Sequence, residues 1–349
     1  MSRLAPLNSS TPSHGVLIAI DVGGTKTQIA CYDTSTGQLN RTLLDTHAPG
    51  LTGAAALHRI IVAAKQCAQL DNVPHLRGVA AVFPGVVRDN HLLMAPNTPG
   101  LEGLDLYGQL AAAFATPVIT LDNDVKAGAL AEHTWGSLHG ADHALYVNIG
   151  TGLSAAAIIH GEVYRGRNGA ALEIGYQLTP FLDHLAPTDW RGLREGVAPM
   201  EAMFSGTSLD ILARDLWGPE RDARDLFRST DPKATLELQR RLHALASQLV
   251  NLSIALDVER IAIGGGVSQQ YPVLEPDLTK LLQRLVPFPP TLVSARFVND
   301  APLWGALELA RRAAGTPALP STMFEASSDD ADRNEDPSPK GLHKATQYP

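Results

Sequence analysis

Twice along this chain an apolar run stops at a turn of glycine and threonine and then resumes as a second apolar run. Residues 16–21 lead into Asp21-Val22-Gly23-Gly24-Thr25-Lys26 and continue as residues 28–32. Residues 144–149 lead into Gly150-Thr151-Gly152 and continue as residues 154–159, with His160-Gly161 as the next tight turn. Each unit reads as a β-hairpin. A strand-turn-strand opening used twice predicts two related α/β lobes that face each other. No short-period repeat accompanies it.

The rest of the pattern fits such lobes. Leu57, Ile60, Ile61, Ala64 and Cys67 have helical spacing and predict a helix over 54–70. Short buried strands are expected over 77–82, 118–121, 258–263 and 291–297. Helices are expected from 124 to about 133, across 209–257 and over 306–314. Residues 1–14 are rich in Ser, Pro and Thr, and residues 316–349 in Pro, Ser, Asp, Glu and Lys with few large apolar side chains, so both ends are expected to be disordered. The expected division is a small lobe over 15–121, completed by a closing helix near 302–315, and a large lobe over 122–301.

Composition excludes several function classes. The net charge is −8 with no Lys/Arg block, which argues against nucleic acid as a partner. No apolar run approaches the roughly 20 residues that span a bilayer, and nothing near the start resembles an export signal, so a cytoplasmic protein without membrane contact is expected. Cys31 and Cys67 both sit in apolar surroundings and read as buried thiols, and no cysteine spacing suits a thiolate zinc site.

The chemistry-bearing residues cluster at strand ends. In the first turn, Gly23 and Gly24 let backbone N–H groups approach phosphate oxygens, Thr25 adds a hydroxyl and Lys26 a positive charge. Asp21 can hold a Mg²⁺ ion through water. The spacing matches neither a Walker loop nor a dinucleotide fingerprint. Gly150, Thr151 and Gly152 repeat the design, and two such turns make a two-sided phosphate clamp. Gly264, Gly265 and Gly266 directly follow the strand at 258–263 and suggest an open shelf for a ligand. Asn123-Asp124 ends the strand at 118–121. Asp124 suits a base that takes a proton from a hydroxyl, with helix N-cap as its plainer role and Asp122 as its rival. Asn97 on a Pro-rich loop, and Glu173 with Tyr176, offer groups that read sugar hydroxyls.

In these motifs and in their order, the chain resembles the ROK family of sugar kinases and repressors over roughly residues 16–314. The resemblance implies an actin-like ATPase (ribonuclease H-like) fold with two lobes around a cleft. It implies Mg-ATP as cofactor and a hexose or amino sugar as substrate, phosphorylated in a glucokinase-like manner at the 6-hydroxyl. It implies that Asp124 is the catalytic base, that Asn97, Asn123, Asp124, Glu173, Tyr176 and Glu201 touch the sugar, and that the three glycine loops hold the nucleotide. A homodimer is compatible with it, and polyphosphate stays open as an alternative donor. The family's closing helix is matched by the run from Asp300 to Ala306.

Two departures stand out. Where the family carries Glu-x-Gly-His followed by a cysteine-rich zinc loop, this chain has Glu173-Ile174-Gly175-Tyr176 and no cysteine from 177 to 198. No zinc is therefore expected, and His184 is a lone histidine there. The replaced loop is expected to pack through Leu182, Leu185, Trp190 and Leu193. The second phosphate loop is also poorer in glycine. The alternative reading is a sugar-sensing regulator without turnover. Only about 15 residues precede the first strand, too few for a helix-turn-helix reader, and Asp124 is present. A third reading, an ATPase without a sugar substrate, leaves Asn97, Asn123 and Glu173 without a task.

Overall fold

The computed structural model describes residues 14–46, 52–69, 75–95, 98, 100–116, 118–179 and 198–324. Its first half runs β1 (Val16–Val22), β2 (Lys26–Asp33), β3 (Leu39–Asp45), α1 (Gly53–Cys67) and β4 (Leu76–Phe83). The small hairpin of β5 (Val86–Arg88) and β6 (His91–Met94) follows, then α2 (Leu106–Phe114), β7 (Ile119–Asn123) and α3 (Asp124–Trp135). The second half begins with β8 (Ala144–Ile149), β9 (Leu153–Ile159) and β10 (Glu162–Val163). It continues through α4 (Pro199–Met203), α5 (Gly206–Trp217), α6 (Ala223–Arg228), α7 (Pro232–Leu256), β11 (Arg260–Gly264), α8 (Tyr271–Leu285), β12 (Thr291–Ser294) and α9 (Ala301–Ala313).

These strands make two sheets with one topology. Their orders are β3-β2-β1-β4-β7 and β10-β9-β8-β11-β12, that is third, second, first, fourth, fifth in both cases. The first three strands of each sheet pair antiparallel and the last two join in parallel. This is the duplicated sheet of the actin-like ATPase fold. β1 is buried at six of its seven positions, as a central strand covered on both faces must be. β3 is an edge strand of intermediate and exposed residues.

Each sheet has its own core. One gathers Ile18, Ile20, Ile29, Val79 and the inner face of α1. The other gathers Leu145, Val147, Ile261, Ile263 and the inner faces of α5, α7 and α8. Between them α3 and α9 pack on each other, and α9 also packs on β1 and β4. Both helices are largely buried, and at their contact Gly305 meets Ala127. A Cβ on Gly305 would lie 1.8 Å from the Ala127 carbonyl oxygen, so only glycine permits this crossing.

Several sequence expectations shift by local chemistry. The stretch 209–257 is three helices. Gly218, at φ +103°, ends α5. Asp222 begins α6 through a capping box, and Asp231 before Pro232 begins α7. β12 stops at Ser294, short of 297, and α9 begins at Ala301, ahead of 306. β3, α2 and α8 were not expected; α8 carries Leu274, Leu278 and Leu282 at helical spacing, with Pro272 and Pro276 in its first turns. No helix among the described residues is long and apolar enough to cross a membrane. Residues 317–324 fall outside the main unit and carry a short 3-10 turn at 321–324. Residues 1–13 and 325–349 lie outside the described residues, as do His184 and the four apolar side chains expected to pack the replaced loop.

Candidate active site

Asp124 is the first residue of α3, and the cap before it is Asn123. The Asn123 side-chain oxygen accepts from the Lys126 backbone N–H at 2.9 Å. Its amide nitrogen donates to the Gly85 carbonyl at 2.8 Å and to Asp124 Oδ1 at 3.0 Å. The Val125 N–H also donates to Oδ1, at 2.9 Å. Oδ1 is thus held twice, and Oδ2 has no partner among the described residues. The capping role weighed for Asp124 belongs to Asn123, which leaves the carboxylate for chemistry. The rival Asp122 is spent on an ion pair, with Arg165 Nη2 at 2.5 Å and Nε at 3.1 Å. Burial pushes Asp124 up to about 7, with Glu173 adding to the shift and the Val125 N–H and Lys126 opposing it.

Asp21 ends β1 on the same floor and is pushed up to about 8, first by burial and then by the Asp124 and Asp300 carboxylates. Asp300 lies at the head of α9, where Arg41 pairs with it at 3.1 Å. Such a cluster is short of positive charge, and a hard cation with oxygen ligands fits that need. Among the described residues, no three of these carboxylates come within 4.8 Å of one another. Beyond Asp21 the chain makes a closed turn. The Gly23 N–H donates to the Lys26 carbonyl at 3.0 Å, and the Thr46 hydroxyl donates to the Gly23 carbonyl at 2.7 Å. Thr25 and Lys26 stand exposed at its tip.

After β10, Glu173 faces a side chain that the sequence did not single out. Lys126, only 1% exposed, lies 3.5 Å from Glu173 Oε1, and its Nζ has no hydrogen bond among the described residues. Ser154 donates to Glu173 Oε2 at 3.4 Å. Burial pushes Glu173 up and Lys126 opposes it. Glu173 and Asp124 are thus brought together through Lys126. Tyr176 closes the same short turn and is half-exposed. Burial, then Glu201 and Glu173, push its phenol up. Glu201 turns inward, and its Oε2 accepts from the Leu153 N–H at 2.9 Å beside Gly152. Asn97 lies outside the described residues.

The second glycine turn is wired to α5. The Gly206 N–H donates to the Gly150 carbonyl at 2.7 Å and the Thr207 N–H to the Thr151 carbonyl at 3.3 Å. Next to them opens a cavity of about 480 Å³, lined by Thr151, Thr207, Asp210, Arg224, Phe227, Gly266 and Gln270 among others. Only Gly150, Thr151 and Gly266 of this wall were legible as site residues, because the rest comes from helices with no motif. The glycine run 264–266 is not uniformly open. A Cβ on Gly264 would meet the Tyr146 hydroxyl at 2.5 Å, and one on Gly265 the Asn148 side chain at 2.6 Å. Gly266 alone is exposed and uncrowded, so the shelf is one residue wide.

Comparison with known proteins fits this arrangement. A sequence model of the ROK family matches residues 17–313. An N-acetylgalactosamine kinase of Shewanella is 30% identical over 271 residues, covering 75% of this chain and 85% of that protein. An N-acetylmannosamine kinase of Pasteurella multocida is 30% identical over 300 residues, covering 83% and 94%. The crystal structure of a ROK hexokinase from Thermus thermophilus superposes with a TM-score of 0.68 at 27% identity, over 85% of this chain and 98% of that one.

Proposed function

The chain belongs to the ROK family, and from that premise we propose that it is a sugar kinase. In this reading it transfers the γ-phosphoryl group of Mg-ATP to the 6-hydroxyl of a hexose, glucokinase-like, or of a 2-acetamidohexose. The small lobe is residues 15–121 with the closing helix near 302–315, and the large lobe is residues 122–301. The observation that carries the reading is Asp124: one oxygen fixed by two N–H donors, the other without a partner among the described residues, and a titration near neutrality. That suits a base which must be ionised at physiological pH and still accept a proton.

The sugar is held by Asn97, Asn123, Glu173, Tyr176 and Glu201, with its reacting hydroxyl at Asp124 Oδ2. Because Asn123 already bonds Gly85 and Asp124, its larger service is to position the base. The phosphates lie between the turn at Gly23, Gly24, Thr25 and Lys26 and the loop at Gly150, Thr151 and Gly152. Asp21 holds Mg²⁺ through water, and when bound the ion offsets phosphate charge. No zinc is needed.

The nucleoside sits in the 480 Å³ cavity between Thr207 and Gly266. A polyphosphate donor would have no use for that room, which favours ATP. As the hydroxyl attacks in line, Asp124 takes its proton and the glycine-turn amides stabilise the transferred group. The N-acetylgalactosamine and N-acetylmannosamine kinases among the relatives bring acetamido sugars into the substrate class. Two buried free thiols suit a cytoplasmic setting.

The test is coupled ADP release from Mg-ATP against glucose, mannose, fructose, N-acetylglucosamine, N-acetylmannosamine and N-acetylgalactosamine. Turnover with one of them supports the reading and identifies the sugar. Tight sugar binding by calorimetry without ADP release from any of them would replace it with a sensor.

A further inference from the structure

At the end of the large-lobe sheet remote from the cleft, three metal-binding side chains converge. β8 runs from Ala144 at this end to Ile149 at the glycine turn, so the two ends are about 17 Å apart at the usual rise of a strand. Asp142 and His143 precede β8, and His160 sits in the turn between β9 and β10. The pairing of Ala144 with Ile158 sets these segments side by side. The ligand atoms of Asp142, His143 and His160 all lie within 4.8 Å of one another, and the two imidazole rings meet edge to face with centroids 4.6 Å apart. We propose that these three residues form a divalent metal site, for zinc by its ligand chemistry.

Two neutral imidazoles and one carboxylate are the donor set that suits a borderline ion such as zinc, with the fourth tetrahedral position left to water. Such an ion needs ligand atoms about 3.3 Å apart, from bonds of about 2.1 Å. Side-chain rotation supplies the remaining contraction, because the backbone is already fixed. The N–H groups of Asp142 and His143 both donate to Glu259 Oε1, at 2.7 and 3.3 Å, and the Glu259 N–H donates back to the His143 carbonyl at 2.9 Å. The Gly161 N–H donates to the Asp142 carbonyl at 3.0 Å, which ties the turn to the loop.

His160 itself is unusual. Its φ is +51° and that of Gly161 is +73°, a two-residue hairpin turn whose first position favours asparagine or glycine. A histidine held there turns its ring toward His143. Bound metal would staple the loop after α3 to the β9–β10 hairpin, beside the ion pair of Glu162 with Arg312 of α9. The site is separate from the phosphoryl-transfer chemistry and does not depend on it.

The experiment is calorimetric titration of ZnCl₂ into the metal-stripped full chain, with thermal melting in parallel. The wild type should bind one equivalent and melt higher with zinc. His160→Asn keeps a residue that accepts positive φ, so the turn survives while the ligand is lost. It should weaken binding at least about tenfold and abolish the thermal gain, as should His143→Ala. His58→Ala, on the exposed face of α1, should change nothing. No zinc binding by the wild type overturns the site. So does zinc binding that His160→Asn leaves intact, or that His58→Ala weakens as much.

Discussion

The two glycine turns stand on identical sheet frameworks, yet they are built for different tasks. The turn after β1 closes on itself through Gly23 and Lys26, is buttressed by Thr46, and stands next to the carboxylates of Asp21, Asp124 and Asp300. The turn after β8 hands its carbonyls to the first residues of α5 and opens on a 480 Å³ cavity with Phe227 and Gly266 in its wall. One side gathers three carboxylates and the other provides room. A duplicated scaffold therefore fixes where ligands can sit, at the C-terminal ends of the central strands. The helices added after each hairpin decide what each half can bind.

That contrast predicts unequal responses to mutation. The largest effect belongs to the acidic floor. Asp124→Asn should lower kcat by about 10²–10⁴-fold while calorimetry still shows nucleotide binding in the cavity. If kcat is unchanged, the division of labour between the two turns fails.

Next is the crossing that joins the halves. Gly305→Ala forces a methyl onto the Ala127 carbonyl and should destabilise the chain by about 1–3 kcal/mol in denaturant unfolding. A neutral result would mean that α3 and α9 separate freely.

A subtler test uses pH. Because Asp124 must be ionised to accept a proton and titrates at about 7, kcat/KM should rise with pH through that value. Lys126→Met removes a charge that favours the ionised form and should move this limb to higher pH. An unmoved limb would separate Lys126 from the base.

Stability should run the opposite way. With folded values of about 8 for Asp21 and about 7 for Asp124, against about 3.9 for an unfolded aspartate, the folded chain keeps protons that the unfolded chain has lost. The stabilisation they contribute is full below about pH 4 and is lost as pH rises through 7 to 8. Asp21→Asn should therefore melt higher than wild type at pH 8 and close to it at pH 4, while Mg-dependent turnover falls. The smallest effect is at the buttress. Thr46→Val loses its hydrogen bond to Gly23 and should cost about 1 kcal/mol. It should raise the KM for ATP modestly, with no counterpart in the second turn.

Much of this was legible beforehand because turns and strand ends carry local signatures. The hairpins at Gly23-Gly24 and Gly150-Thr151, the strand end at Asn123-Asp124 and the glycines after Ile263 each announce themselves within a few residues. The edge strand β3 escaped because its residues are mostly polar or partly exposed. α8 escaped because Pro272 and Pro276 read as helix breakers although Leu274, Leu278 and Leu282 keep helical spacing.

The sequence by itself determined the doubled strand-turn-strand plan, the family and the placement of the two glycine turns, because backbone geometry at glycine and alternating apolar strands are local properties. Tertiary structure alone decided that Asn123 also bonds the Gly85 carbonyl beside Asp124, and that Arg165 occupies Asp122. It also decided that Lys126 lies buried against Glu173, and that Asp142, His143 and His160 meet. Such pairings join residues up to 47 positions apart (Lys126 with Glu173). They depend on burial and on which strands become neighbours, and no local spacing encodes either.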